Sequence, residues 1–271
     1  MKIHHLNCAT MCPFSAAILT RGGGVFERAR MVCHCLLIEA GDRLVLVDSG
    51  LGLAEVADPI GRSGRLLVTL VAPRFDAAEC AVRQVERLGY RADDVTDIVL
   101  THLDYDHAGG IADFPRARVH VHGEELDAAL ARKTFLERER YKPVQWAHGP
   151  AWERHTTGGD RWMGFESVRA LGDGALEVAI VPLRGHTRGH SGVAVRDGDA
   201  WLLHAGDAYF YADEMAATPW CPAGFKAFQT VIAVDDAARR RNQSRLRELA
   251  ASRDDLRVFC AHDPSEFARF A

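Results

Sequence analysis

Runs of apolar residues along the chain predict a series of short buried strands. The stretch from Val95 to Leu100 has strand length and a mostly apolar pattern, and it predicts one such strand. Val32 to Glu39 and Leu44 to Asp48 predict a hairpin that turns at Ala40-Gly41-Asp42. The remaining predicted strands cover residues 2–8, 117–122, 176–184, 192–196, 200–205 and 256–260. Helical spacing of apolar residues predicts helices at 76–88, 124–132 and 235–251.

Two stretches lack a clear period. Residues 51–75 are rich in Gly, Pro and Arg, and they predict a long surface loop. Residues 133–168 hold Trp146, Trp152 and Trp162 in a segment without regular spacing. Two interpretations stay open for these tryptophans: they form a lid or pocket wall, or they pack the segment onto the core.

Alternating strands and helices favour an α/β fold with two sheets. A chain of 271 residues with 48% apolar composition can bury a large core, and we predict one domain over residues 1–271. The net charge is −4 and only the triplet Arg239 to Arg241 concentrates basic residues. Its helical context predicts a solvated helix face, so nucleic acid is not an expected partner.

The N-terminal residues 1–6 lack the apolar region of a signal peptide, and no 18-residue apolar run occurs. These features predict a cytoplasmic protein that does not enter membranes. Seven cysteines without a paired zinc-binding spacing are expected to be reduced core residues. Cys33 and Cys35 alternate within a predicted strand and should face the same side of a sheet.

The most unusual stretch is residues 101–110, directly after the predicted strand 95–100. It contains His102, Asp104, Asp106 and His107, which are four potential metal ligands within six residues. Burying imidazoles and carboxylates is costly, and a metal ion is the usual compensation. A helix cap is the alternative, but it needs one oxygen and explains neither histidine.

Three further candidate ligands follow other predicted strands. His186, Asp207 and His262 come after the apolar runs 176–183, 201–203 and 256–260. Each is expected at the same edge of a sheet, which predicts a shared metal centre. His120 and His122 have no such link and are interpreted as structural or surface histidines.

The order His102-x-Asp104-x-Asp106-His107, His186, Asp207, His262 resembles the metallo-β-lactamase superfamily, whose signature begins H-x-H-x-D-H. Val47-Asp48-Ser49-Gly50 is similar to its early V-D-T-G turn. This resemblance covers nearly the whole chain, and within the superfamily the chain looks closest to the N-acyl homoserine lactone lactonases. The phrases that carry this likeness are Cys35-Leu36-Leu37, Leu88-Gly89-Tyr90, Gly185-His186-Thr187-Arg188-Gly189-His190 and Ala261-His262-Asp263. The resemblance implies an αββα sandwich of two mixed sheets flanked by helices, with metals at one edge.

The resemblance also implies the assignment of ligands. One ion would be held by His102, Asp104 and His186, a second by Asp106, His107 and His262, and Asp207 would bridge them. The cofactors implied are two divalent metal ions, with zinc favoured. Asp104 stands where the lactonases have histidine, so its oxygen also allows iron or manganese. Counted this way, three carboxylates and a bridging hydroxide face two divalent ions, and the cluster approaches neutrality.

The activity implied is hydrolysis of a small ester-like bond, most readily a lactone, by a hydroxide that bridges the metals. Asp106 would ligate and also carry a proton to the leaving group. The lactonases' catalytic tyrosine position holds Phe210 here, so Tyr209 is the candidate for catalysis and substrate binding. Trp146 and Trp152 are further substrate-binding candidates, and the partner is a small molecule. A homodimer is also compatible with the resemblance.

Asp48 and His190 are candidates to orient the imidazoles, although either could instead be a buried structural group. Other activities within the superfamily remain open: thioesterase, phosphodiesterase and organophosphate esterase. A non-hydrolytic diiron redox protein or a metal-binding protein without turnover is also open, since H-x-D resembles the H-x-E of flavo-diiron proteins. A serine hydrolase is excluded because no G-x-S-x-G motif occurs.

Overall fold

The computed structural model describes residues 1–173 and 176–270, and its architecture is two large sheets with helices outside them. The first sheet contains β1 Lys2–Met11, β2 Met31–Ala40, β3 Arg43–Val47, β4 Val95–Val99, β5 Arg118–His122 and β6 Ala151–His155, in that order. A short hairpin pairs β7 Arg161–Trp162 with β8 Phe165–Glu166. The second sheet contains β9 Val168–Asp173, β10 Leu176–Pro182, β11 Ser191–Asp197, β12 Ala200–His204 and β13 Leu256–Phe259, with order β13-β12-β11-β10-β9.

The helices lie before, between and after these strands. They are α1 Ala16–Leu19, α2 Leu53–Ala57, α3 Pro59–Ser63, α4 Arg65–Val71, α5 Ala81–Arg87, α6 Tyr105–Ala108, α7 Gly123–Ala131, α8 Phe135–Arg140, α9 Ala223–Ile232, α10 Asp236–Ala251 and α11 Pro264–Phe267. Single 3₁₀ turns occur at Ala77–Glu79, Ala92–Asp94, Gly109–Asp113, Pro143–Trp146 and Ala212–Met215.

Strand β2 shows why the two sheets stack. Leu36 and Ile38 join a buried cluster with Val178 and Ile180 of β10, so this face of β2 packs against the second sheet. Leu37, one position along, belongs to a different cluster on the outer side of the first sheet. Since successive side chains of a strand point to opposite faces, both faces of this sheet are covered.

Helices complete the two outer layers. Val82 and Val85 of α5 pack into the outer cluster of the first sheet. Leu246 of α10 is fully buried in the outer cluster of the second, together with Leu203. The expected αββα sandwich of two mixed sheets is therefore confirmed.

Most predicted strands are confirmed, but the loop predicted for residues 51–75 is wrong. This segment contains α2, α3 and α4, of five, five and seven residues. The side chain of Asp58 caps α3 by accepting a hydrogen bond from Gly61 N, and Pro59 occupies the first turn. Helices of one or two turns are too short to show a 3.6-residue period in the sequence.

The four loops that carry the candidate ligands meet at one edge of the sandwich. In the second sheet, β12 is parallel to β13, and both run in the direction of β10 because β11 is antiparallel to β10 and β12. The carboxyl ends of β10, β12 and β13 consequently share one edge, as predicted. No helix within the described part of the chain is long and apolar enough to cross a membrane.

Candidate metal centre

The structure brings all seven candidate ligands together in a buried cluster. They are His102, Asp104, Asp106, His107, His186, Asp207 and His262, each with no more than 7% of its surface exposed. The first four follow β4, and the others follow β10, β12 and β13. Their ligand atoms fall into overlapping groups whose members all lie within 4.8 Å of one another.

The first group consists of His102, Asp104, His186 and Asp207. Asp104 Oδ2 lies 3.4 Å from His102 Nε2 and 3.0 Å from His186 Nε2. Asp207 Oδ2 lies 3.8 Å and 3.3 Å from the same two nitrogens. Tetrahedral coordination with bonds of about 2.0–2.1 Å separates ligand atoms by about 3.3 Å, so these donors have the spacing of a metal site.

The second group consists of His107, Asp207 and His262, and it uses the other oxygen of Asp207. Asp207 Oδ1 lies 3.3 Å from His107 Nε2 and 3.1 Å from His262 Nε2. Asp106 Oδ2 is 3.9 Å and 3.7 Å from these nitrogens. Asp207 therefore directs one carboxylate oxygen to each group, which is the arrangement that a bridging ligand needs.

Unpaired polar atoms at the centre of the cluster fit a bound cation. Among the described residues, His102 Nε2, His107 Nε2 and Asp207 Oδ1 are buried and have no hydrogen-bond partner. Leaving such atoms without partners costs about 1–3 kcal/mol each. The residues present therefore suit divalent metal ions, because an ion would satisfy these lone pairs together.

Hydrogen bonds on the far side of three imidazoles leave Nε2 free to face the cluster. His107 Nδ1 is 2.8 Å from Asp48 Oδ2, and His262 Nδ1 is 2.8 Å from the Val32 carbonyl oxygen. His102 Nδ1 is 2.9 Å from Thr101 Oγ1, whose hydroxyl donates to Asp48 Oδ2. Donation from Nδ1 fixes the tautomer in which Nε2 carries a lone pair.

His190 acts on the backbone of Asp207 rather than on an imidazole. Its Nδ1 donates to the Leu183 carbonyl oxygen at 3.0 Å, so Nε2 accepts from Asp207 N at 2.8 Å. His190 thereby positions the residue that is shared by both groups.

Gly109 and Gly110 allow the ligand loop to press against the loop after β3. A Cβ on Gly110 would lie 2.5 Å from the Ser49 carbonyl oxygen, and one on Gly109 would lie 2.8 Å from that of Gly50. Both distances are shorter than real Cβ contacts permit. The glycine pair therefore permits this close backbone approach.

Comparison with known proteins identifies the family. A profile described as "Metallo-beta-lactamase superfamily" matches residues 28–262. The chain belongs to the metallo-β-lactamase superfamily. A probable metallo-hydrolase of Mycobacterium tuberculosis is 44% identical over 265 residues, which is 97% of this chain and 81% of that protein. The family and this relative identify the chain as a metal-dependent hydrolase.

Relatives and structures named as lactonases are more distant members of the superfamily. The N-acyl homoserine lactonase AiiB of Agrobacterium fabrum is 30% identical over 236 residues, covering 86% of this chain and 79% of that protein. A solved N-acyl homoserine lactone hydrolase, with the product N-hexanoyl-L-homoserine at its catalytic metal centre, superposes with a TM-score of 0.73. It is 18% identical, with 99% of this chain and 95% of that chain covered, so it shows the shared fold.

A buried arginine balances the charge of Asp104, and no local pattern in the sequence indicates this partner. Arg140, at the end of α8, is 6% exposed, and its Nε lies 3.0 Å from Asp104 Oδ1. Burial opposes ionisation of Asp104, but Arg140 and His102 outweigh it and hold the pKa of this carboxyl well below its usual range. Counting Asp104 as an uncompensated negative charge was therefore wrong.

Asp106 and Cys33 lie beside the second group, next to His262. Cys33 Sγ lies 3.9 Å from Asp106 Oδ2, and these two residues form a further potential metal-binding group with His262. Burial raises the pKa of the Asp106 carboxyl, and Asp207 and Asp104 add to the rise. The sequence placed Cys33 in the core but gave no sign that its thiol reaches the ligands.

Tyr209 lies away from the cluster, in the core outside the second sheet. It is fully buried, and its hydroxyl donates to both carboxylate oxygens of Glu266 at 3.0 and 3.1 Å. The geometry therefore gives no support to a catalytic hydroxyl at this position. The neighbouring Phe210 contacts the cluster instead, with its ring stacked on His262 at a centroid distance of 5.0 Å.

Trp146 and Trp152 also lie apart from the ligand atoms. Trp146 is buried in the cluster outside the first sheet, and Trp152 packs against the same cluster. Their rings meet edge to face, with 6.5 Å between centroids. Of the two interpretations left open by the sequence, these contacts favour packing onto the core.

Proposed function

We propose that this chain hydrolyses a lactone at a site of two divalent ions, with zinc favoured. The observation that carries the proposal is that the two carboxylate oxygens of Asp207 face different groups: Oδ2 faces the first group and Oδ1 faces the second. Four imidazole nitrogens and three carboxylates form a donor set that suits zinc, while the carboxylate share also admits iron or manganese.

A cavity beside the cluster supports a small substrate with an apolar portion. Its volume is about 340 Å³, within the range of small-molecule sites. Apolar and aromatic side chains line it next to His262, namely Leu19, Phe210, Tyr211 and Phe225. Charged side chains of both signs complete the lining, and Arg21 is paired there with Asp213. Such a lining fits an acyl chain joined to a polar head, and the names of the lactonase relatives agree with that class.

Hydrolysis of a lactone adds water to the ring carbonyl, breaks the ring C–O bond and moves a proton from the water to the leaving alkoxide. Bound divalent ions would supply acidification of the water and polarisation of the carbonyl. Asp106 is our candidate to carry the proton, because its Oδ2 lies among the ligand atoms, 3.7 Å from His262 Nε2 and 3.9 Å from His107 Nε2. Phe210 stacks on His262, and both side chains line the cavity at that side of the cluster.

The substrate class is tested with a panel measured on one zinc-loaded preparation. N-acyl homoserine lactones and simple γ-lactones are compared with acyl thioesters, phosphodiesters, phosphotriesters and β-lactams. The proposal expects kcat/KM for at least one lactone to exceed the other classes by roughly 100-fold or more.

A preference for thioesters or phosphate esters would support hydrolase activity but refute lactones as the substrate class. Absence of hydrolysis across the panel, together with oxygen or peroxide reduction by an iron-loaded preparation, would instead support the diiron alternative. The matched control is the chain with Asp207→Asn, which removes one charge from the shared carboxylate and should lose activity towards every substrate.

A further inference from the structure

Arg140 contacts two of the candidate ligands of the first group at once. Its Nη1 donates to the His186 carbonyl oxygen at 2.8 Å, and its Nη2 donates to His186 Nε2 at 3.2 Å, the lone pair that an ion would take over when it binds. Its Nε lies 3.0 Å from Asp104 Oδ1, a close ion pair that lacks the alignment of a hydrogen bond. The guanidinium thus lies at the rim of the first group and touches no candidate ligand of the second group in the described chain.

The two oxygens of Asp104 have different partners. Oδ2 faces His102 and His186 at ligand spacing, while Oδ1 faces the guanidinium. A carboxylate held in this way can offer one oxygen to an ion while the other pairs with a cation. The orientation of Asp104 and the conformation of the His186 loop therefore depend on the same side chain.

The charges also match. Asp104 contributes one negative charge and Arg140 one positive charge, so the pair is neutral, like an imidazole. A buried guanidinium without a partner would be strongly unfavourable beside a cation, so a histidine at position 104 and an arginine at position 140 would conflict. The two residues form a unit rather than two independent features.

We infer that Arg140 is a positioning residue whose pairing with Asp104 lets a carboxylate do the work of a neutral ligand at the first metal site. The inference rests on the proposed two-ion function but not on the substrate. Its direct consequence is coupling: the effect of replacing Asp104 on metal binding must depend on whether Arg140 is present.

A double-substitution cycle with Zn²⁺ tests this. Wild type, Asp104→His, Arg140→Met and the double variant are titrated with zinc against a chromophoric chelator. Asp104→His alone should lose one of two zinc equivalents, because the guanidinium is left unpaired against three imidazoles. Arg140→Met alone should weaken one ion by roughly 10- to 100-fold. The double variant should regain two equivalents, since the conflict is removed.

Two controls separate charge pairing from a general loss of packing. Arg140→Lys keeps the charge and should bind zinc more like wild type than Arg140→Met does. Arg239→Met removes another buried arginine, which pairs with Asp236 and Gln229 instead. Combined with Asp104→His, it should give additive effects and no rescue.

Additive effects of Asp104→His and Arg140→Met would overturn the inference, as would two tight zinc equivalents in Asp104→His alone. If circular dichroism shows that the double variant is unfolded, the test becomes the comparison of Arg140→Lys with Arg140→Met. Equal zinc affinities of these two variants would overturn the inference. Since no substrate is used, two zinc equivalents with the expected coupling uphold it even where lactone hydrolysis fails. A wild type that binds a single ion overturns both this inference and the two-ion proposal.

Discussion

Replacing Asp48 by asparagine should weaken metal binding through His107. Asp48 is 1% exposed and accepts three hydrogen bonds. Thr101 N donates to Oδ1 at 2.7 Å, while Thr101 Oγ1 and His107 Nδ1 donate to Oδ2, both at 2.8 Å. An asparagine side chain of the same shape has one oxygen and one NH₂ group, so it cannot accept from both sides.

The expected size follows from these contacts. In either orientation of the amide, a buried donor faces another donor, which costs about 1–3 kcal/mol of stability. If the NH₂ faces His107 Nδ1, that nitrogen becomes an acceptor and the proton moves to Nε2, the atom that must stay free for an ion. We therefore expect affinity for one ion to fall roughly 10- to 100-fold, the usual effect of losing a partner behind a ligand histidine.

The assay combines zinc competition titration with chemical denaturation of the metal-free chain. Asp97→Asn is the matched control, because Asp97 is also fully buried and contacts an imidazole, with 2.9 Å between its Oδ1 and His120 Nε2. It should destabilise the fold without changing zinc affinity. Equal losses of stability in the two variants with wild-type zinc affinity in Asp48→Asn would refute the reasoning and make Asp48 purely structural.

Three further predictions concern single residues. Asp106→Asn should lower kcat by roughly 100-fold with metal retained, since a proton carrier is lost; near-normal kcat would remove it from that role. Trp152→Ala should lower Tm without changing the order of acyl-chain preference; a changed order would restore its role in substrate binding. Tyr209→Phe should lower Tm and reduce kcat by no more than a few-fold; a large loss of kcat would restore its catalytic role. Burial raises the pKa of Glu266 to about 7. Its neutral form is therefore favoured in the folded state, so stability should fall as pH rises from about 4.5 to about 7, by roughly 3 kcal/mol. In Glu266→Gln this decline, followed by denaturation of the metal-free chain, should be absent.

The metal cluster was predictable because its residues are costly to bury and each follows a strand. Four potential ligands directly after β4 needed a compensating ion, and the carboxyl ends of strands in one direction share an edge. Those two physical arguments marked the central motif as a metal site and placed His186, Asp207 and His262 at one edge of a sheet, but that β4 belongs to the other sheet required the structure. The αββα architecture itself came from the family resemblance, because apolar runs alone do not show which strands pair.

Residues that act through single tertiary contacts were not predictable. Arg140 lies in a segment without periodicity, and no local pattern marks it as buried. The only signal was indirect: Asp104 carries a charge where the lactonases that the chain resembles have a neutral histidine, and buried charges are usually paired. Arg239 shows the same difficulty, because the sequence predicted a solvated basic face while its side chain is buried against Gln229 and Asp236.

Aromatic residues were misleading for a related reason. The sequence indicates that Tyr209 and Trp152 lie near a site along the chain, but it does not show in which direction these large side chains point. Neighbouring residues of the loop after β12 point to different sides, so Tyr209 meets Glu266 while Phe210 meets His262. Phe210 follows Asp207 by three positions, and its contact with the His262 ring required the structure.

The central claim is that two ions share Asp207, and metal stoichiometry tests it most directly. Elemental analysis of wild type, His186→Ala and His262→Ala, each saturated with zinc and then freed of excess, gives equivalents per chain. The account predicts two for wild type and about one for each variant, because each removes a ligand from a different group. Two equivalents in both variants, or a single equivalent in wild type, would contradict it.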